Sequence, residues 1–256
     1  MLLVDQHEQH AGHDMSAMAT PAAPADQAPP PPIPTDHAAD RVYSPAAMAA
    51  ARAQLMKEHG GATVWTVRLD QLEYRARDGA DGQSFEGEAW WGGDASHWVV
   101  KARGERTDGQ GWARGEANLL KAWPAGPYFD VQAGVRYDLA PKGRGYATIG
   151  FEGVAPYWIK LDGAVFLSDQ GKVSARAEGA HDLRLTQKLI LQPRVEVDMA
   201  EAGAARLEGA LRLRYEITRE FAPYLGLVRE RSFGPMAVAG ERAGSTAVVV
   251  GVRAWR

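Results

Sequence analysis

Two-residue alternation of apolar and charged side chains is the feature that most limits how this chain can fold. In TQKLILQPRVEVDM, Leu189, Leu191, Val195 and Val197 share one parity, while charged and polar side chains occupy most of the other. The stretch LEGALRLRYEI, at residues 207–217, repeats the pattern. Because successive side chains of a strand point to opposite faces, these runs predict strands with one apolar face and one charged face.

Roughly twelve runs of this kind follow one another along the chain. They begin near residues 64, 82, 96, 111, 127, 144, 157, 171, 186, 207, 221 and 245. Most are about 10 to 13 residues long, close to the 9 to 11 residues that cross a membrane at a tilt and longer than ordinary strands. An even number of antiparallel strands can close into an up-and-down barrel without a free edge, as lipid requires.

A soluble β-sandwich also alternates apolar and polar faces, so two architectures are open at this point. Two features of the strands and connections favour a membrane barrel. The polar parity is densely ionic, as in Lys101, Arg103 and Glu105, and would line a closed interior while lipid meets the other parity. The connections are expected to alternate between longer loops, such as RDGADG and MAEAGAAR, and tight turns, such as GGDA and PAG.

Aromatic side chains near the expected strand ends are a third feature that favours the barrel. Those near the tight turns are Trp90, Trp91, Trp98, Trp123, Tyr128, Phe129, Phe151, Tyr157, Trp158, Phe221, Tyr224 and Trp255. Those near the other rim are Tyr74, Tyr137, Tyr146, Phe166 and Phe233. Aromatic belts at both interfaces are expected of a membrane barrel. We therefore predict an all-β fold, a transmembrane up-and-down antiparallel β-barrel of about 12 strands with a disordered N-terminal leader and one short helix.

Three segments follow from these patterns. Residues 1–43 have no periodicity and include TPAAPADQAPPPPIPTDH, which is typical of a disordered or extended leader. Residues 44–60 carry helix signals, with Ser44 suited to the N-cap, Pro45 to the first turn and Gly60 to the stop. Residues 61–256 form the predicted barrel.

Composition narrows the classes of function and location. A formal net charge of −3 argues against a nucleic-acid-binding protein. The absence of cysteine leaves methionine sulfur and histidine nitrogen for soft-metal binding. The opening MLLV is too short for the apolar core of a secretory signal, so either the protein stays in the cytoplasm or a leader has been removed. We expect the second, with this sequence as a mature or mis-started form.

The stretch HEQHAGHDMSAM places imidazole, carboxylate and thioether groups close together in the leader. The candidate copper ligands are His7, His10, His13, Asp14, Met15 and Met18. Cu(I) favours thioether and imidazole, and Cu(II) favours imidazole and carboxylate, so both ions are candidates, bound as cargo. The alternative is that these are ordinary polar residues of a disordered leader.

Four further residues are weaker candidates for the same role. They are His37, Met48, Met56 and His59. Met48 and Met56 fall on the Ala-rich helix, where methionine is also an ordinary apolar residue. His97 and His181, the two histidines within the barrel, are expected to be hydrogen-bonded structural residues rather than ligands.

Several sequence blocks resemble the copper resistance protein B family of Gram-negative bacteria. They are LDQLEYRARDG, EGEAWWGGD, AGVRYDLAP, FEGVAPYWIKLDGAVFLSDQGKVSARAEG, TQKLILQPRVEVDMA, LRLRYEITREFAPYLGLV and GVRAW, in this order from about residue 64 to the end. The His/Met-rich leader is similar to that of the family as well. The resemblance implies an outer-membrane β-barrel, with its leader in the periplasm, that takes part in copper tolerance beside a multicopper oxidase partner.

The leading expectation is therefore a non-enzymatic outer-membrane barrel that sequesters or moves copper for copper resistance. One alternative is a general small-solute channel with an incidental His/Met tail. Another is a membrane hydrolase, which needs a serine nucleophile with a positioned histidine. Only Ser96 beside His97 and Ser174 near His181 are available, and G-x-S-x-G is absent.

Overall fold

The computed structural model describes residues 38–58, 62–77, 79–200, 204–234 and 244–256. The predicted leader, residues 1–43, lies outside this part of the chain except for its last six residues, of which Ala38–Arg41 form a 3-10 helix. Helix α1, Pro45–Glu58, follows, and the Ser44 hydroxyl accepts a hydrogen bond from the Ala47 amide at 3.3 Å. This confirms the short helix. No helix within the described ranges is long and apolar enough to cross a membrane.

Antiparallel strands make up nearly all of the remaining chain. They are β1 (Val64–Arg77), β2 (Gly82–Gly93), β3 (Ser96–Thr107), β4 (Gly111–Pro124), β5 (Phe129–Ala140), β6 (Arg144–Ala155), β7 (Ile159–Ser168), β8 (Val173–His181), β9 (Leu183–Arg184), β10 (Leu189–Met199), β11 (Ala205–Tyr215), β12 (Phe221–Phe233) and β13 (Gly244–Trp255). The two-residue β9 pairs with β10 and continues β8 beyond Asp182.

The sheet closes because β13 pairs with β1, with Arg68 opposite Trp255 and Arg77 opposite Ala247. Counting β8 and β9 as one, twelve strands therefore form a closed up-and-down barrel, which confirms the predicted fold. We call the rim where β1 begins and β13 ends the terminal rim, and the opposite rim the loop rim.

Alternation along each strand separates an apolar outside from an inside that is mostly polar. In β13, the Val249 side chain is 0 % exposed and points inward, whereas those of Val248 and Val250 are 49 % and 60 % exposed. Leu225 and Leu227 of β12 are also exposed, and Glu230 of the same strand faces the interior ion pairs. An apolar exterior around a polar interior is the arrangement of a barrel in lipid.

Strand β1 contains a β-bulge that resets its alternation. Leu69 lies opposite Gly87 of β2, but Gln71 lies opposite Glu86, so Asp70 is an extra residue. On the other side of β1 the register also shifts between Leu69 and Leu72. The extra residue of the bulge shifts the alternation of β1 by one position. The polar side chains of β1 therefore point into the barrel both before and after the bulge. The sequence carries a sign of this, since its outward apolar positions are three residues apart at this point.

The connections at the two rims differ less in length than predicted. At the terminal rim they comprise residues 94–95, 125–128, 156–158, 185–188 and 216–220. At the loop rim they comprise residues 78–81, 108–110, 141–143, 169–172, 200–204 and 234–243, of which only the last is long. Strand pairing continues into several stretches predicted as loops, because Thr107 and Gly111 still pair across the connection between β3 and β4.

Aromatic side chains surround the terminal rim on the outside of the barrel. Trp91, Trp98, Trp123, Phe221 and Trp255 are exposed there, and the Trp91 and Trp98 rings stack at 6.4 Å between centroids. This agrees with the predicted interfacial belt.

Four aromatic residues predicted for the belts instead point into the barrel. They are Trp90, Tyr146, Phe166 and Tyr224, of which Phe166 and Tyr224 are buried and Trp90 packs against buried side chains of β3 and β4. Each has the same parity as an inward charge of its own strand, such as Asp162 for Phe166. The alternation in the sequence therefore indicated the inward direction of these side chains, although they lie near a rim.

Candidate functional site

The barrel encloses a lumen lined by charged side chains. The buried charged residues are Glu73, Arg75, Glu105, Glu116, Arg176, Arg194, Glu196, Glu208, Arg212 and Arg214. Their positions confirm the prediction that the ionic parity faces inward. Because a buried charge is costly unless it is paired, the contacts among these side chains decide what the lumen can hold.

A central ion cluster spans the lumen between β2–β3 and β8–β10. The Arg103 guanidinium lies 2.7 Å from Glu86 and 2.8 Å from Glu196. Arg194 lies 2.6 Å from Glu178 and 2.9 Å from Glu86. Strands β3 and β10 are far apart in the ring of paired strands, so these contacts cross the interior rather than run along the wall.

A second crossing joins β8 to β4. Arg176 donates two hydrogen bonds to Glu116, of which the one from Nη2 to Oε2 is 3.0 Å. The Arg176 guanidinium also lies 2.6 Å from Asp198. Arg136 of β5 approaches the same Glu116 carboxylate at 2.8 Å. The Glu116 side chain is 0 % exposed, and its carboxylate is bound by two guanidinium groups.

A third cluster joins β1 to β11 and β12. Arg75 lies 2.8 Å from Glu230 and 3.2 Å from Glu208. Towards the terminal rim, Arg212 lies 3.0 Å from Glu73, and the Tyr224 hydroxyl donates to Glu73 at 2.9 Å. Tyr224 therefore acts as an inner hydrogen-bond donor rather than as a belt residue.

These clusters separate two cavities inside the barrel. The terminal cavity, about 230 Å³, opens near the terminal rim, where its lining includes Arg68, Lys101 and Glu152. The loop cavity, about 270 Å³, opens near the loop rim, where its lining includes Arg144, Phe166 and Ser174. Between them are two voids of about 30 and 20 Å³. Voids of this size hold little more than single water molecules.

The predicted metal ligands are not brought together within the described part of the chain. His7, His10, His13, Asp14, Met15, Met18, His37 and His59 lie outside the described residues. Met48 and Met56 lie on α1, where the Met48 side chain is half-buried and Met56 is exposed. Among the described residues, no group of three or more histidine, aspartate and glutamate side chains is arranged to hold a metal ion.

The two histidines of the barrel have structural contacts. His97 lies 3.6 Å from Asp130, and its ring lies 5.4 Å from that of Trp90. His181 Nδ1 lies 3.4 Å from the Trp158 carbonyl oxygen. Ser174 lies near the opposite end of β8 from His181, about 23 Å away at the usual rise per residue, so this pair does not form a catalytic dyad.

Comparison with known proteins assigns the barrel to a family. A family model described as Copper resistance protein B precursor matches residues 63–256. The chain belongs to the copper resistance protein B family. Copper resistance protein B of Escherichia coli is 37 % identical over 211 residues, which cover 77 % of this chain and 71 % of that protein. The copper resistance protein B homolog of Pseudomonas syringae pv. tomato is 32 % identical, covering 85 % of this chain and 81 % of that protein.

Solved structures of other barrels are similar at a coarser level. The KdgM porin has a TM-score of 0.46 at 7 % identity, covering 74 % of this chain and 98 % of that one. An outer membrane channel from Pseudomonas putida F1 has a TM-score of 0.41 at 11 % identity, covering 77 % and 95 %. The copper resistance protein B assignment rests on the sequence match. It confirms the resemblance carried by the sequence blocks.

Proposed function

We propose that this member of the copper resistance protein B family is an outer-membrane barrel that binds copper and sequesters or moves it at the cell envelope. The observation that carries the proposal is the match of the whole barrel, residues 63–256, to the family model. The apolar exterior and the twelve closed strands support a place in the outer membrane. The terminal rim and the N-terminal segment are proposed to face the periplasm, beside a multicopper oxidase as partner.

The proposed copper ligands are His7, His10, His13, Asp14, Met15 and Met18. Five of the seven histidines and five of the seven methionines precede residue 64, so most soft donors lie before the barrel. The central lumenal carboxylates are already bound by guanidinium groups, as Glu116 is by Arg176 and Arg136. Copper held by the N-terminal donors would be cargo, in either oxidation state, with His37, Met48, Met56 and His59 as secondary ligands.

Titration of Cu(II) into the full-length protein in detergent tests the ligands. Replacing His7, His10 and His13 together by alanine is expected to abolish most Cu(II) binding, because imidazole nitrogen is the preferred donor in the segment. The matched control is His181→Gln, which removes an imidazole at the terminal rim and is expected to leave the stoichiometry unchanged. Equal stoichiometry in the triple variant and the unmodified protein would reject the assignment.

The pH dependence of binding separates the two kinds of donor. Protons compete with Cu(II) for imidazole, so Cu(II) affinity is expected to fall as the pH decreases below about 6.5, the ordinary pKa of histidine. Thioether sulfur does not protonate in this pH range, so the affinity of Met15 and Met18 for Cu(I) is expected to depend less on pH. Replacing both methionines by leucine should therefore remove the acid-resistant part of Cu(I) binding.

A general small-solute channel makes a different prediction. Liposomes containing the protein would swell in neutral sugars at a rate that copper does not change. A copper-handling barrel with the closed lumen described above is expected to give no swelling. Swelling by the unmodified protein together with unimpaired copper tolerance of the triple histidine variant in cells would favour the channel.

A further inference from the structure

Strand β12 carries arginine side chains on the outer surface of the barrel, where the other strands present mostly apolar groups. Val228 is buried and Glu230 forms ion pairs in the lumen, so alternation along β12 turns Arg229 and Arg231 outward. Both arginines are exposed, as is Leu227, the next outward residue towards the middle of the strand. The outer surface therefore changes from apolar to basic as β12 approaches the loop rim.

The charge of these two arginines is not matched on the outer surface. Among the strand residues that the structure describes, the outward positions hold no aspartate or glutamate, whereas Arg106 of β3 is a further exposed outward arginine near the loop rim. Within the described ranges, the contacts of Arg229 and Arg231 are a hydrogen bond and a ring contact rather than ion pairs. A cation on the lipid-facing surface is costly unless it reaches water or an anionic headgroup.

Neighbouring residues position both guanidinium groups and leave space beside them. Arg229 lies opposite Thr246 of β13, and its Nη1 donates to the Thr246 hydroxyl oxygen at 2.6 Å. On its other side Arg229 lies opposite Gly209 of β11, where an added Cβ atom would meet nothing within 4 Å. The guanidinium carbon of Arg231 lies 5.2 Å from the centroid of the Phe233 ring. A guanidinium positioned in this way loses less conformational freedom when it binds a further group.

We propose that Arg229 and Arg231 bind a phosphate group of a phosphorylated lipid in the leaflet around the loop rim. Residues two apart on one face of a strand are about 7 Å apart, so two guanidinium groups can converge on one phosphate between them. Exposed Leu227 lies on the same face towards the middle of the strand, where acyl chains would cover it.

Phe233, whose ring contacts Arg231, is exposed at the end of β12, at the level where interfacial aromatic residues are expected. The apolar and basic parts of this surface thus follow the order of acyl chain and headgroup in a lipid, which neither a free anion nor a soluble protein would need. The proposal rests on the proposed place of the barrel in the outer membrane and is independent of the copper ligands.

Native mass spectrometry of the full-length protein in non-ionic detergent tests this site, with lipid A, a phosphorylated glycolipid, as the probe. We expect the unmodified protein to bind lipid A more tightly than the dephosphorylated form, which has the same acyl chains. Arg229→Gln and Arg231→Gln are each expected to weaken lipid A binding roughly tenfold, the effect of losing one charge-assisted hydrogen bond. Neither change should affect the dephosphorylated form. Inorganic phosphate alone is expected not to bind at concentrations where lipid A saturates the site.

Arg106→Gln is the matched control, because it removes an exposed outward arginine near the same rim that has no second arginine beside it on β3. It is expected to leave the affinity for lipid A unchanged. Correct folding of each variant is verified by heat-modifiable electrophoretic mobility, and the titrations contain no copper, so their result is separate from that of copper binding. The proposal is overturned if removal of the phosphates does not weaken binding, if Arg229→Gln and Arg231→Gln bind lipid A as the unmodified protein does, if Arg106→Gln weakens binding equally, or if inorganic phosphate binds as tightly as lipid A.

Discussion

At the scale of single residues, Glu116 shows how the lumen is held together. Its carboxylate binds Arg176 of β8 across the lumen and Arg136 of the neighbouring strand β5. The Glu116 side chain is not exposed to solvent. A buried ion pair adds little stability compared with an apolar pair of the same shape. Removing one partner strongly destabilises the protein, because it leaves the remaining charges buried and uncompensated.

Glu116→Gln is therefore expected to lower the free energy of unfolding by about 3 to 5 kcal/mol. Urea unfolding of the refolded barrel, followed by tryptophan fluorescence, measures the change. Glu220→Gln is the matched control, since Glu220 is exposed in the connection between β11 and β12 and should shift the midpoint little. Equal midpoints for the two variants would mean that the Glu116 carboxylate is not needed to compensate Arg176 and Arg136.

At the scale of the element, β1 shows how a strand can contain an irregularity and still keep its faces. Arg68 lies before the bulge and Glu73 after it, and both point into the lumen because Asp70 is an extra residue between them. A regular strand without the extra residue would keep the same inward and outward sets. A one-residue change elsewhere in a strand would instead turn part of it inside out.

Deletion of Asp70 is thus expected to leave a folded barrel, losing only the contacts of Asp70 with Arg68 and Arg253. Deletion of Ala133, in the regular pairing of β5, is expected to prevent folding, because it turns charged residues on one side of the deletion towards lipid. Heat-modifiable mobility after refolding distinguishes the two. Failure of both deletions to fold would contradict the interpretation of Asp70 as an insertion.

At the scale of the whole molecule, the barrel has an apolar exterior around an ionic interior. Exposed Val248 and Val250 and buried Val249 are consecutive residues of one strand, so their burial follows from side-chain direction rather than residue type. In water such an exterior would be a large apolar patch, whereas in a bilayer it is covered by acyl chains.

Val250→Arg, in the middle of β13, is therefore expected to destabilise the barrel in a bilayer by about 2 to 4 kcal/mol. Met199→Arg, at the loop-rim end of β10, is expected to cost about 0 to 1 kcal/mol, because a charge at the interface reaches water. Chemical unfolding from phospholipid vesicles measures both values. Equal costs at the two depths would argue against a membrane around this surface.

The sequence predicted the strands better than it predicted the details at the rims. All twelve predicted starts lie within three residues of observed strand starts, including Leu189 and Ala205. The prediction of markedly longer loops at one rim was wrong for most connections, because pairing of Gly111 with Thr107 extends the sheet into sequence that is typical of a turn. The placement of Phe166 and Tyr224 was wrong because an aromatic near a rim suits either an interfacial belt or the lumen.

The candidate sites also differ in how far the sequence alone identifies them. The donors around His7 and Met15 are a pattern in consecutive residues, so the sequence alone identifies them, and they remain a proposal. The proposed lipid site joins Arg229 and Arg231 of β12 with Thr246 of β13. The outward direction of the arginines follows from parity, but no local pattern indicates which residues of other strands lie beside them.

By itself, the sequence determined which side chains face lipid and which face the lumen, since this depends only on parity along each strand and on one extra residue in β1. Only the tertiary structure decided that Arg103 meets Glu196 and that Arg176 meets Glu116 across the interior. The physical reason is that closure of the sheet sets the distances between strands that are far apart in the chain. Those distances also close the middle of the lumen and leave a cavity near each rim.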